Sequence, residues 1–310
     1  MMSYLKKCLG LICGVSLAAG VLTGCGDGGG GDNVAYLCFD ESDAFGGQLI
    51  KSEFQKGAQS KGLNVEYYDA KGDGNLQIDQ MKEVIANHPK AIILLPVDGD
   101  SIVPSVEQAN EAEIPVVVLN RGVNGGKVLL SDSNNLDAGI LQAQYMASHL
   151  PQGAKVVYLH GASNQSAAQL RWQGFKKECL DKRPDIELLD MQDGNWSKTE
   201  GMKIMAVWLS LYPKIDGVIC GNDQMALGAI AALKASNRLA GCQVSGVDAV
   251  DDALKAVAAG EMVQTIKQDA AGQAQGAADI VASIISGGSP SNVVVPFTSI
   301  TKENIAQFRK

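Results

Sequence analysis

From Val34 onward, short apolar runs rich in branched residues alternate with longer stretches whose apolar residues recur every three or four positions. The first pattern belongs to strands buried on both faces, the second to helices with one covered stripe. In order, the runs predict strands over Val34–Phe39, Leu63–Tyr68, Ala91–Leu95, Ile114–Leu119 and Lys127–Leu130, with helices over Gln48–Lys61, Ile78–Ala86 and Ser101–Ala112 between them. A helix from Asn135 to Leu150 follows, and the alternation restarts. Strands are predicted over Lys155–Leu159, Ile186–Met191, Gly217–Cys220, Gln243–Val247 and Val263–Ile266. The matching helices run over Ala167–Leu180, Lys198–Leu211, Met225–Lys234, Ala249–Ala259 and Ala271–Ile285, and Val293–Val295 closes a last strand. Such alternation argues for parallel sheets. Two rounds of it, broken near residue 133, predict an α/β chain of two doubly wound parallel-sheet domains with a pocket between them.

In open sheets of this kind ligands bind outside the carboxyl ends of the strands. Two strand ends carry chemistry there. Gly217–Cys220 runs into Gly221, Asn222 and Asp223, and Ile114–Leu119 runs into Asn120 and Arg121. Asn222 and Asp223 are also ordinary helix caps, and Asp223 either caps its helix or braces Asn222.

Composition changes the picture at the amino terminus. Lys6 and Lys7 precede an apolar stretch from Cys8 to Leu22, too short and too rich in glycine for a membrane span. It ends in Leu22-Thr-Gly-Cys25, which resembles the lipobox of bacterial lipoproteins. That resemblance implies cleavage after residue 24, a lipid on Cys25, and a glycine-rich tether over residues 25–32. The chain carries a net charge of −8, and cleavage would remove two lysines and no acid. No basic patch stands out, which excludes nucleic acid as the expected partner. Cys38, Cys179, Cys220 and Cys242 remain, without metal-like spacing. Export permits a disulfide, and Cys220 with Cys242 is the candidate pair.

Four stretches together resemble the periplasmic sugar-binding proteins of the ribose-binding type, the solute receptors of ABC importers. They are Phe54-Gln-Lys-Gly-Ala-Gln59, Ile114-Pro-Val-Val-Val-Leu-Asn-Arg121, Gly221-Asn-Asp-Gln-Met-Ala-Leu-Gly-Ala229 and Gly246-Val-Asp248. The resemblance implies the type I fold, with a three-crossover hinge joining a domain of 33–133 plus 269–297 to one of 134–268 plus 298–310. It implies a monomer, lipid-anchored in the cell envelope, that binds a small sugar or polyol (pentose, hexose or inositol) and delivers it to an ABC permease. A sensory module feeding a chemoreceptor or kinase is the alternative. No enzyme activity and no cofactor are expected.

A sugar presents hydroxyls, each donor and acceptor, around apolar C–H faces, so its site needs amides, carboxylates, guanidinium groups and aromatic rings. By the resemblance, Asn120, Arg121, Asn222, Asp248 and Gln268 supply the polar groups, and Phe45 and Trp196 the stacking rings. Asp43 falls where the family has a polar contact. The family has Asp where this chain has Asn120. At its ligand-contacting arginine, Gln169 is the favoured positional match, with Arg171 retained as a candidate; the loss of an Arg and an Asp suggests a polyol other than ribose. His160 ends a strand and faces either the cleft or the core. His88 and His149 are expected at the surface. Asp69–Asn75 has a faint calcium-loop look but lacks the acidic third position and has Gln80 at the twelfth, so it reads as a turn. Gly26–Gly31 has dinucleotide-motif spacing but precedes its strand.

Overall fold

The structure, a computed structural model, describes residues 33–308. Cys25, the lipobox, the tether and the glycine run therefore lie outside the described residues.

The first lobe is built from β1 (Asn33–Cys38), α1 (Lys51–Ser60), β2 (Asn64–Asp69), α2 (Gly74–Ala86), β3 (Ala91–Leu94), α3 (Val103–Glu111), β4 (Val116–Leu119) and β5 (Leu129–Asp132). The second lobe contains α4 (Asn135–His149), β6 (Lys155–His160), α5 (Ser166–Phe175), β7 (Glu187–Asp193), α6 (Lys198–Leu211), β8 (Gly217–Cys220), α7 (Asp223–Ala235), β9 (Gln243–Asp248), α8 (Asp251–Ala259) and β10 (Gln264–Lys267). The chain then returns to the first lobe with α9 (Ala270–Ile285) and β11 (Val293–Val294), and ends in the second with β12 (Thr298–Thr301).

One six-stranded sheet has the order β11-β5-β4-β3-β1-β2, the other β12-β10-β9-β8-β6-β7. Both wind outward from their first strand in the same sense, so each has a switch point beside that strand. They differ at one edge: β11 runs parallel to β5, whereas β12 is antiparallel to β10. The chain crosses between lobes after Asp132, after Lys267 and after Val294, giving three crossovers.

The central strands β1, β3, β4, β6 and β8 are almost wholly buried, as their unbroken apolar runs require. Covering both faces of such a sheet stabilises it by about 1.5–3 kcal/mol per fully buried Val, Leu or Ile. Helix α9 covers one face of the first sheet with small residues, and a Cβ on Gly276 would lie 2.5 Å from Ser131 Oγ. That close approach is what the alanine-rich stretch permits.

The sequence places most elements within two residues of their observed bounds, but α2 starts at Gly74, four residues before the expected Ile78, the helix expected over Ala167–Leu180 is α-helical only to Phe175 and continues as a wide turn, and three further points differ. The strand expected over Lys127–Leu130 is Leu129–Asp132. The short run Thr298–Thr301 forms a strand that the sequence does not announce. Helical structure begins at Ala44, in a wide turn over Ala44–Ile50 where Gln48 N donates to Asp43 O at 2.9 Å. Gly47 allows it, because a Cβ there would meet Asp40 O at 2.0 Å.

The four cysteines among the described residues are free and buried, so the pairing of Cys220 with Cys242 is corrected. In the parallel β8–β9 register Gly217 faces Gln243. Cys242 therefore sits four residues along the strand from Cys220, roughly 13 Å at strand rise, well beyond disulfide reach. The turn over Asp69–Asn75 is a helix start: Asp73 accepts from Asn75 N and Leu76 N.

Candidate functional site

A cleft with about 430 Å³ of empty space, open solvent included, lies where the carboxyl edges of the two sheets meet. The first lobe lines it with Phe39, Asp43, Phe45, Gly46, Asn120 and Arg121. The second contributes Gln165, Ala167, Arg171, Trp196, Asn222 and Asp248, and Gln268 comes from a crossover. Of the residues expected from the sequence, the structure brings together Asp43, Phe45, Asn120, Arg121, Arg171, Trp196, Asn222, Asp248 and Gln268.

Gln169 stands apart, and the preference for it over Arg171 is corrected. Helix α5 buries Ala168, Arg171, Gly174 and Phe175, a stripe at helical spacing. Gln169 lies off that stripe, exposed, and donates its amide to Ser163 O at 2.9 Å. The site therefore keeps an arginine, and the loss of one is no longer an argument about the ligand.

Arg171 organises the second lobe's side. It is buried and donates to Asn135 Oδ1 at 2.9 Å, Gly221 O at 2.7 Å and Gln268 Oε1 at 3.0 Å. Asp248 lies 3.9 Å away. Burial lowers the Arg171 pKa, opposed first by Asp248. Burial also holds the Asp248 carboxyl well above its usual range, against the pull of Arg171. Arg121 lies over the Phe39 ring, 3.4 Å from its centroid, and donates to Pro96 O at 3.4 Å. Burial brings it down to about 10, with Asp43 opposing. Two guanidinium groups and two carboxylates thus face one small space, a set suited to hydroxyls that both donate and accept.

Several lining residues hold backbone that side chains rarely adopt. Asn120 has φ +67°, Trp196 +62° and Asp248 +123°. Such conformations cost roughly 1–3 kcal/mol each and persist only where the surroundings fix them. Trp196 is fixed by packing: a Cβ on Gly161 would lie 2.2 Å from the indole, and Nε1 donates to Gln165 Oε1 at 2.8 Å. Asn222 caps α7, accepting from Met225 N at 3.0 Å, and donates to Trp196 O at 3.2 Å. Asn120 donates to Gln273 Oε1 at 3.0 Å, and Gln273 donates to Ser133 Oγ at 2.7 Å. Asp43 accepts from Phe45 N and Gly46 N, which sets the wide turn that carries Phe45. Across the cleft beside the cavity, Asn164 donates to Asp98 at 3.0 Å.

Phe39 and Gln165 belong to the cavity without having been singled out. Phe39 was legible only as the end of a strand, and Gln165 carried no signal beyond preceding a helix. His160 faces Asp193 at 3.0 Å and is not part of the lining. Among the described residues no group of three or more His, Cys, Asp or Glu is placed to hold a metal.

The profile of the periplasmic binding protein domain matches residues 34–289. A Rhizobium meliloti protein named for rhizopine binding is 35% identical over 272 residues, covering 85% of this chain and 88% of that protein. The ribose import binding protein of Salmonella typhimurium is 30% identical over 265 residues, covering 85% and 87%. Among solved structures, an ABC transporter solute-binding protein of Bacillus halodurans with bound myo-inositol has a TM-score of 0.86 at 28% identity, covering 91% of this chain and 98% of that one. The Caulobacter myo-inositol binding protein, bound to myo-inositol, has a TM-score of 0.84 at 26% identity, covering 89% and 94%.

Proposed function

The chain belongs to the periplasmic binding protein family, and on that premise we propose that it captures one small, uncharged sugar or polyol between its lobes and hands it to a membrane permease. Capture of a small sugar or polyol for an ABC importer is the family's role. The finer reading is that the ligand is a pentose, a hexose or an inositol, held by Arg121, Arg171, Asp248, Asn222, Asn120 and Gln268 and stacked by Phe45 and Trp196. One observation carries it: planar polar groups from both sheets converge with aromatic rings on one cavity. The ligand joins the lobes and so favours the closed form, and the site needs no catalytic group. Attachment to the membrane through Cys25 and action as a monomer belong to the same proposal.

A thermal-shift panel of D-ribose, D-allose, L-arabinose, xylitol and myo-inositol tests it. A ligand at one hundred times its Kd adds about 2.7 kcal/mol, a rise of roughly 5–10 °C for a chain of this size. The hit should also compact the protein in small-angle scattering. A well-folded sample that shifts with none of the five overturns the reading.

A further inference from the structure

Asp248 reaches the cavity only because the chain turns sharply behind it. Its φ is +123° and that of Ala249 is +59°, so the turn must be held by neighbours. The restraint comes from two other elements. Asp223, the first residue of α7, is completely buried. One of its carboxylate oxygens accepts from Val250 N at 3.0 Å. The other accepts from the Thr265 hydroxyl on β10 at 2.7 Å. That hydroxyl in turn accepts from Ala249 N at 3.2 Å. Both amides following Asp248 are thus tied to one carboxylate, the first through Thr265 and the second directly. Gly246 makes the room, because a Cβ there would lie 2.2 Å from Asp223 Oδ1.

Two simpler roles do not account for this arrangement. Capping of α7 is done by Asn222. A negative charge favouring a helix start works equally well facing solvent, and needs no burial against β9 and β10. Asp223 does not brace Asn222 either, whose amide goes to Met225 N and Trp196 O. Asp223 is also absent from the cavity lining.

We infer that Asp223, with Thr265 as its relay, is a positioning residue for ligand binding: it holds the turn that aims Asp248 into the cavity and does not touch the ligand. The consequence for binding rests on the receptor reading above; the clamp itself does not.

The test uses the full chain and has two arms. In the ligand-free protein, Thr265→Val should speed amide deuterium exchange of residues 247–251 at least tenfold while leaving α4 unchanged, and Thr265→Ser should restore protection. In the second arm, Kd for myo-inositol is measured calorimetrically. Asp223→Ala and Thr265→Val should each weaken binding at least tenfold in the native background and less than twofold in an Asp248→Asn background. A purely structural role would give equal losses in both backgrounds. Equal losses, or unchanged exchange in Thr265→Val, overturn the inference. Should Asp223→Ala fail to fold, the two Thr265 variants decide alone. A native chain that binds no myo-inositol counts against the receptor reading, while the exchange arm still decides the clamp.

Discussion

Asn120 and Asp248 occupy equivalent places in the two lobes. Asn120 follows β4 and Asp248 ends β9, each the fourth strand of its sheet in chain order, and each has a positive φ. Their supports differ. Asn120 is tied to Gln273 on α9, and through it to Ser133 in the first crossover. Asp248 is tied to Asp223 and Thr265, both inside its own lobe. One half of the site is therefore wired to the hinge, while the other is a self-contained fixture. On the proposed receptor reading, ligand contact at Asn120 would be coupled to closure of the lobes, and contact at Asp248 to local geometry.

The largest perturbation of this contrast is Arg171→Ala. It strips partners from Gln268, Asn135 and Gly221 O and leaves buried Asp248 without its neighbouring charge. Breaking a buried charge pair costs about 3–5 kcal/mol, so thermal unfolding should fall by roughly 10 °C and ligand binding should be lost. A variant that unfolds at the native temperature would mean that Arg171 organises nothing.

Next comes pH. Burial pushes Asp223 and Asp132 up to about 7. Each therefore binds a proton more readily folded than unfolded between its unfolded value, about 3.9, and 7. That contribution is present in acid and is lost as pH rises through the window. Stability should accordingly be greater at pH 5 than at pH 8, by an amount on the order of a few kcal/mol, and the unfolding temperature higher. Asp98 and Glu303, both lowered by hydrogen bonds, act the other way only below about pH 4. A stability profile that climbs from pH 5 to pH 8 refutes the assignment.

Gln273→Ala sharpens the comparison itself. It leaves Asn120 Nδ2 and Ser133 Oγ without partners, a loss of about 1–3 kcal/mol. The ligand-induced compaction seen by scattering should change in this variant and stay native in Thr265→Val. Identical behaviour of the two would erase the distinction between the lobes. The smallest effect belongs to Gln169→Ala: exposed and outside the cavity, it should alter Kd by less than about twofold, within the usual ±0.5 kcal/mol of surface changes.

The buried strands were legible because unbroken runs such as Val116–Leu119 have no other comfortable place. Thr298–Thr301 was not, since a four-residue edge strand with Ile300 as its one aliphatic residue carries no apolar run. The wide turn at Ala44 was not legible, since glycine at 46 and 47 is unfavourable in a helix; in the fold Gly46 leaves room for the Phe39 ring and Gly47 for Asp40 O. Asn120, Arg121 and Asn222 were legible from their places at strand ends, whereas Asp248 and Gln268 entered only through the family resemblance. The choice between Gln169 and Arg171 was decidable in principle: Ala168, Gly174 and Phe175 mark the covered stripe, and Arg171 falls on it. Matching by aligned position overlooked that periodicity. The Asp223 clamp was illegible, because its partners Val250 and Thr265 are brought together only by the pairing of β9 with β10.

The three crossovers also set an order of assembly. The second lobe's two main cores can close once residue 267 is available, lacking only their edge strand and the residues after it. The first lobe cannot, since α9 supplies one side of its core and is made after residue 269. Its loop closure spans the second lobe from α4 to β10, a slow non-local step. During synthesis the first lobe must wait, one face of its sheet covered only by α1, for a helix made after most of the second lobe.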